Sequence, residues 1–367
     1  MSFYINLLYM ALAGVILSFF LRKNKTLTNA IFIIEALVLM LIVAFRHESI
    51  GTDTVTYCEK FLHPNDEIND WGFWLYNIIL GFLTKKTDVF IFVTATISFL
   101  PVYYSIWKDS RNKCFSLFVF LTMGTTILYY ALYFASMRHC FAVGFIMLLV
   151  YNVRNNKLTS LPVILLLNVT IGFIHITTFF FIPVFIVYYY LKKRGRPLRK
   201  LVATLILVIS FILGIGLQDY MQYISLLNAA TEGRFDYYLT HVSSSEYMIG
   251  TTLPLFMLGV LFILFASDGF KKDLYYVMFL FGICVNNLMV MAGDSSRLTF
   301  LFLISACVAI PNFISDLSSK NSLKFVKFGL VLVVLLYYSS KYNHTWNNII
   351  QYDNATYVPY KTNSLCP

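Results

Sequence analysis

Apolar residues in this chain come in largely apolar blocks of sixteen to twenty, separated by short polar stretches, rather than as stripes spaced for one face of a helix. A helix needs about twenty apolar residues to cross a hydrocarbon core about 30 Å thick. Windows of that kind cover residues 3–21, 27–45, 88–107, 115–134, 137–153, 158–174, 176–191, 199–217, 251–267, 274–292, 298–316 and 325–340. The pattern predicts about twelve transmembrane helices. The first window has no basic residue before it and Arg22, Lys23 and Lys25 just after it, the reverse of a secretory signal. It is therefore retained as a span, with its N-terminus outside. The apolar stretch Trp71 to Leu83 is only thirteen residues long, too short to cross comfortably, and is read as a re-entrant or interfacial helix.

Composition agrees with the pattern. Of 367 residues 59% are hydrophobic, 18% aromatic and 13% charged, and mean hydropathy is +0.71. An average soluble domain carries about 25% charged residues. A soluble enzyme is excluded, and the expected fold is an all-α polytopic integral membrane protein forming one domain over residues 1–367. The six cysteines show neither a CxxC pair nor metal-ligand spacing. No glycine loop for a nucleotide stands out, so neither a metal nor another cofactor is expected.

The net charge of +10 needs mapping before interpretation. If 71–83 does not cross, alternate loops hold 19 of the 28 Lys and Arg, and the opposite side holds the other 9 with 13 of the 18 acids. Basic residues collect in short cytoplasmic loops, so the charge reads as orientation in a membrane rather than as affinity for nucleic acid. The longest connections, 46–87 and 218–250, then lie outside with the tail 341–367. Long loops usually carry function, so the site is expected to face the periplasm or exterior.

Several residues on that face invite a chemical reading. Arg46 ends the second span and opens the run R-H-E-S-I-G-T-D-T-V-T-Y, which brings Glu48, Gly51, Asp53 and Tyr57 close in sequence. Snorkelling alone would explain the arginine but not the turn and the acid after it. Arg138 lies between two apolar runs and needs a partner there, whether a structural acid or a ligand. Arg297, in G-D-S-S-R, has Asp294 as an ordinary partner, and His175, at the turn between two spans, could be a plain helix-end hydrogen bonder. Glu35, within the second span, reads either as a proton site or as a neutral packing residue. Trp71, Trp74, Arg234 and Trp346 join Tyr57 and Glu48 on the outer segments, and flat aromatic faces of this kind suit sugar rings.

Arginines beside apolar walls fit an anionic headgroup, because a planar guanidinium pairs with phosphate through two parallel hydrogen bonds. A lipid-linked pyrophosphate meets both conditions.

Four segments then carry a resemblance: R-H-E-S-I-G-T-D-T-V-T-Y, W-G-F-W-L-Y-N-I-I-L, S-M-R-H-C-F-A-V and F-I-H-I-T-T-F-F-F-I-P, in this order. They resemble the EpsG family of Wzy-type polysaccharide polymerases. The family's first motif commonly reads R-x3-G-T-D-x3-Y. Here one extra residue separates Arg46 from Gly51, while Gly51, Thr52, Asp53 and Tyr57 match. Where the family commonly carries Glu before a Gly-Phe pair, this chain has Asp70 and Trp71 before Gly72 and Phe73; Arg138 and Ala142 match the third motif and His175 the fourth.

The resemblance implies a GT-C-like membrane glycosyltransferase that joins undecaprenyl-pyrophosphate-linked repeat units into O-antigen, capsule or exopolysaccharide. Its partners would be that lipid-linked oligosaccharide, the bilayer, a chain-length regulator and a flippase. On this reading Arg46, Arg138 and Arg297 hold pyrophosphate and His175 or Asp53 is the base, with Arg138 part of the catalytic set. Tyr57, Trp71, Trp74, Glu48 and Arg234 meet the glycan. Two other classes stay open. A flippase should line a path through the membrane with charge, where only Glu35 lies deep, and an outer-leaflet glycan ligase would use the same chemistry.

Overall fold

The computed structural model describes residues 2–51, 53–64, 70–122, 136–230, 245–289, 296–317 and 324–352. Their regular structure is helical throughout. Four helices are long and apolar enough to cross a membrane, Phe3–Phe20, Lys25–Ala44, Thr87–Asp109 and Ile176–Arg194, and shorter apolar helices accompany them. The chain divides into two compact units, Met1–Phe185 with Ala306–Pro367, and Ile186–Ser305.

In the first unit, α1 (Ser2–Phe20) and α2 (Lys25–Ala44) form a hairpin. Asn24 caps α2 by accepting from the Leu27 amide, a strong N-terminal signal next to the basic turn. Two short helices follow, α3 (Thr54–Leu62) and α4 (Trp71–Leu83), and then α5 (Thr87–Asp109) and α6 (Lys113–Thr122). Next come α7 (Met137–Arg154) and α8 (Leu161–Gly172), then a 3-10 turn (Ile176–Phe180) leading into α9 (Phe181–Arg194).

Helices α5 and α7 run parallel. Phe90 and Met137 share one core cluster, Gly144 lies against Ser98, Ser105 Oγ donates to the Met147 carbonyl at 3.1 Å, and Asp109 meets Arg154. A Cβ at Gly144 would sit 2.7 Å from the Ser98 carbonyl oxygen, so glycine permits this close approach. The expected span 115–134 lies between α5 and α7 in sequence; α6 covers its start as far as Thr122, and residues 123–135 lie outside the described residues.

Helix α4 is a short apolar helix of 13 residues. Its first residues meet Arg138 and Phe173, and the segment leaving it reaches Thr87, which donates to Glu48. Both ends therefore lie where α5 and α7 begin. Phe73, Asn77 and Leu80 face inward, whereas Trp71, Leu75, Ile79, Phe82 and Leu83 form an exposed apolar stripe suited to lipid.

The last helices of the first unit are α14 (Ala306–Leu317) and α15 (Lys324–Tyr352). The second unit contains α10 (Lys200–Ala230), α11 (Ser245–Phe265), α12 (Leu274–Met289) and α13 (Ser296–Leu303). Two expectations are modified. The window 298–316 is not one continuous helix but two, α13 and α14, separated at Ile304 and Ser305. The segments expected as outer loops are partly helical, since α10 runs on to Ala230, α11 begins at Ser245 and α15 reaches Tyr352.

Candidate functional site

The site lies at the end of the α5–α7 pair where both helices begin. Beneath it, Tyr57, Cys58, Phe61, Phe73, Leu80, Phe90, Ile91 and Met137 form one buried apolar cluster, with Phe61 stacked on Phe90 at 4.5 Å. That platform fixes α3 and α4 against α5, and so fixes the polar residues they carry.

Arg138, in the first turn of α7, points its guanidinium at the residue that precedes α4. Its Nη1 donates to Asp70 Oδ2 at 2.7 Å and its Nε to the Tyr57 hydroxyl at 3.3 Å, with the guanidinium 5.5 Å from the Tyr57 ring centre. His175 approaches the same carboxylate oxygen through Nδ1 at 3.6 Å. His139 stands edge-on to His175 with ring centres 5.0 Å apart, and its Nδ1 is 3.4 Å from Thr177 Oγ1. Asp70 is the hub, serving an arginine and a histidine from different segments. At 3.6 Å the His175 Nδ1 is not hydrogen-bonded to Asp70, and both His175 ring nitrogens are buried without a hydrogen-bond partner among the described residues.

Backbone contact holds this hub in place. The Gly72 amide donates to the Phe173 carbonyl at 2.8 Å, tying the start of α4 to the corner that carries His175. A Cβ at Gly72 would lie 2.9 Å from the Ile174 amide nitrogen and 3.0 Å from the Phe173 carbonyl carbon. Both are backbone atoms that cannot swing aside, so only glycine lets the two segments meet.

A small open pocket of about 30 Å³ adjoins the cluster, bounded by Tyr57, Lys60, Asp70, Trp74, Asn77 and Arg138, with His63, Pro64 and Phe73 completing the wall. Trp74 Nε1 and Asn77 Oδ1 are buried there without a hydrogen-bond partner among the described residues. One donor and one acceptor are thus left for something else to satisfy.

The remaining expected residues are distributed unevenly. Arg46 is only 1% exposed and does not line the pocket; its Nη1 donates to the Val43 carbonyl at 3.1 Å and its Nη2 to Thr54 Oγ1 at 3.5 Å. It fastens the end of α2 to the start of α3, across a turn in which Gly51 takes φ 97°. Glu48 is engaged by Thr87 at 3.1 Å. Asp53 occupies the N-cap position of α3 without capping through its side chain, and its charge reaches Arg138. Trp71 is 63% exposed on the lipid-facing stripe. Trp346 is not an open aromatic face but is buried, stacked on Tyr4 at 3.8 Å. Arg297 belongs to α13 in the second unit, and Arg234 and Asp294 lie outside the described residues.

Four residues were not singled out from the sequence: Lys60, His63, Asn77 and His139. Lys60 and His63 follow Tyr57 at intervals of three, a spacing that puts them on one side of α3 and its extension. His139 adjoins Arg138 within the third motif but, on a helix, adjacent residues point about 100° apart, so its contact with His175 had no signal in the spacing.

Tyr57, Arg138, His139 and His175, which meet around Asp70, all come from the four motif segments, and the comparison with protein families agrees. The EpsG family model matches residues 29–362. The chain belongs to the EpsG family. This is a family of Wzy-like polysaccharide polymerases, and the match spans nearly the whole chain, both compact units included. No curated protein and no solved structure gives a match.

Proposed function

We propose that the chain joins undecaprenyl-pyrophosphate-linked oligosaccharide repeat units into a surface polysaccharide at the outer leaflet of a bacterial plasma membrane, as a GT-C-like glycosyltransferase. The observation that carries this reading is the Arg138–Asp70–His175 cluster beside a pocket holding spare polar atoms. The hydroxyl at the non-reducing end of one lipid-linked unit attacks the anomeric carbon of the growing chain. The bond from that carbon to the lipid pyrophosphate breaks, and the pyrophosphate leaves with the electron pair.

Two demands follow: a proton must be taken from the attacking hydroxyl and the charge of the leaving group must be met. His175 takes the proton through Nε2, while the Asp70 carboxylate, 3.6 Å from Nδ1, stabilises the imidazolium that forms. Arg138 meets the pyrophosphate, since a fixed cation in a water-poor site acts most strongly on developing negative charge. Trp74, Tyr57 and Asn77 receive the sugars. Arg46, being buried, serves by holding the α2–α3 corner rather than by touching phosphate.

The test is glycan analysis of a strain that lacks this chain, complemented with wild-type protein or with Arg138→Ala. Polymerase action predicts loss of long chains with single-unit product retained in both the deletion and the variant. Loss of all surface glycan indicates a ligase or flippase and overturns the proposal. Impermeant thiol labelling tests the orientation: single cysteines at Lys60 and at Gly195 should react from outside and not react, respectively.

A further inference from the structure

At the opposite end of the α5–α7 pair an open groove of about 470 Å³ is lined by Leu100, Pro101 and Leu148 and, nearer the helix ends, by Tyr104, Tyr151, Asn152 and Lys157. The apolar residues lie toward the middle of both helices. A groove at that depth, open to the bilayer, is filled by hydrocarbon chains, because water there would lack hydrogen-bond partners. What distinguishes it is the rim. The Tyr104 and Tyr151 hydroxyls are 3.4 Å apart, Lys157 Nζ stands 4.7 Å from the Tyr151 ring centre, and Lys108 Nζ stands 5.8 Å from that of Tyr104.

Lys157 is held there by the way α7 ends. Asn156 adopts φ 59°, left-handed backbone uncommon for a residue with a Cβ. That turn folds the chain back so that the Lys157 amide donates to the Asn152 carbonyl at 2.9 Å, the closing bond of a helix C-cap. Asn155 fastens the same cap to α5 through Asp109 Oδ1 at 3.0 Å. The acid within reach, Asp109, is buried and bonded to Arg154 at 2.7 Å, so the positive charge of the two lysines dominates the rim.

We propose that this groove binds an anionic phospholipid of the leaflet opposite the candidate site, its phosphate between Lys157, Lys108 and the paired tyrosine hydroxyls and one acyl chain along Leu100, Pro101 and Leu148. The charge complementarity selects the headgroup, and the apolar floor requires a lipid rather than free phosphate. The binding rests on α5 and α7 crossing the membrane and is independent of the polymerase reading.

The experiment is native mass spectrometry of the full-length protein released from nanodiscs of equal parts phosphatidylglycerol and phosphatidylcholine. Wild-type protein should retain phosphatidylglycerol preferentially, by about fivefold for each lysine engaged. Lys157→Gln with Lys108→Gln should reduce the retained ratio to near unity, and Lys157→Arg should keep it. Lys192→Gln with Lys193→Gln, which removes two charges at the end of α9, should also keep it. Equal retention of both lipids by wild-type protein overturns the proposal. So does a preference that survives the Lys157→Gln/Lys108→Gln change, or one that the Lys192/Lys193 pair abolishes equally.

Discussion

Helix α7 carries an arginine–aspartate pair at each end, and the two pairs have the same 2.7 Å geometry: Arg138 with Asp70, and Arg154 with Asp109. The arginines are sixteen residues apart, about 24 Å along the axis. Their surroundings differ. Asp109 Oδ1 also accepts from Asn155, the Asp109 carbonyl accepts from Asn312 at 2.9 Å, and Asn312 Oδ1 accepts from the Arg111 amide at 2.8 Å. That network ties α5, α7 and α14 together and leaves the Asp109 side chain 2% exposed. Asp70 instead faces a pocket, presents one oxygen to both Arg138 and a histidine whose buried ring nitrogens have no hydrogen-bond partner among the described residues, and lies near a buried donor and acceptor in the same condition. An ion pair therefore does not mark a site by itself; the atoms left over around it do.

Swapping the two pairs' fates is the sharpest way to break this contrast. Arg138→Lys should lower polymerisation by about a hundred- to a thousandfold, equivalent to about 2.7–4 kcal/mol, because a point charge does not reproduce a planar grip on pyrophosphate. Its thermal unfolding in detergent should stay near that of wild type. Normal glycan ladders from Arg138→Lys would place Arg138 with Arg154 as a structural cation.

Asp109→Ala should do the reverse, destabilising the protein toward the low end of about 3–5 kcal/mol, since Arg154 retains some access to solvent. Activity per folded molecule should persist, and a stable but inactive Asp109→Ala would show that the far end takes part in the chemistry. His175→Gln keeps a hydrogen bonder near Asp70 but removes the proton acceptor. Turnover should fall at least about a hundredfold while lipid-linked substrate still binds. Wild-type turnover by this variant would shift the base role to Asp53, for which Asp53→Asn in the same assay is decisive.

Gly72→Ala probes the backbone contact that assembles the site. Its Cβ would press on the Phe173–Ile174 backbone, costing about 1–3 kcal/mol and separating Asp70 from His175. Activity should drop further than stability alone accounts for, and unchanged kinetics would mean the corner yields freely. Trp74→Phe, the mildest change, removes only the indole donor, worth about 1 kcal/mol, and should raise the KM for lipid-linked glycan about fivefold without altering kcat.

Much of the scaffold was legible along the chain because hydrocarbon imposes a local rule: each span must be apolar and must satisfy its own backbone. Blocks at 3–21, 27–45 and 88–107 became helices within a few residues of those limits. The thirteen residues from Trp71 form a short helix of their own, α4, with the limits the apolar stretch gave. Arg138 and His175 were legible as well, because a charge or an imidazole between apolar runs is costly unless something meets it.

Partnership across distance was decided only in three dimensions. Asp70 is 68 positions from Arg138, and with Trp71 between it and the Gly72–Phe73 pair it gave no sign of being the hub; the folding of α4 against the His175 corner made it one. Arg46 and Arg138 look alike in sequence, yet packing closes Val43 and Thr54 around the first and leaves the second beside a pocket. Trp346 and Trp74 differ in the same way, one sealed against Tyr4 and the other lining open space. Helix formation in a bilayer depends on each segment's own residues, whereas exposure, pairing and vacancy depend on what the rest of the chain brings alongside.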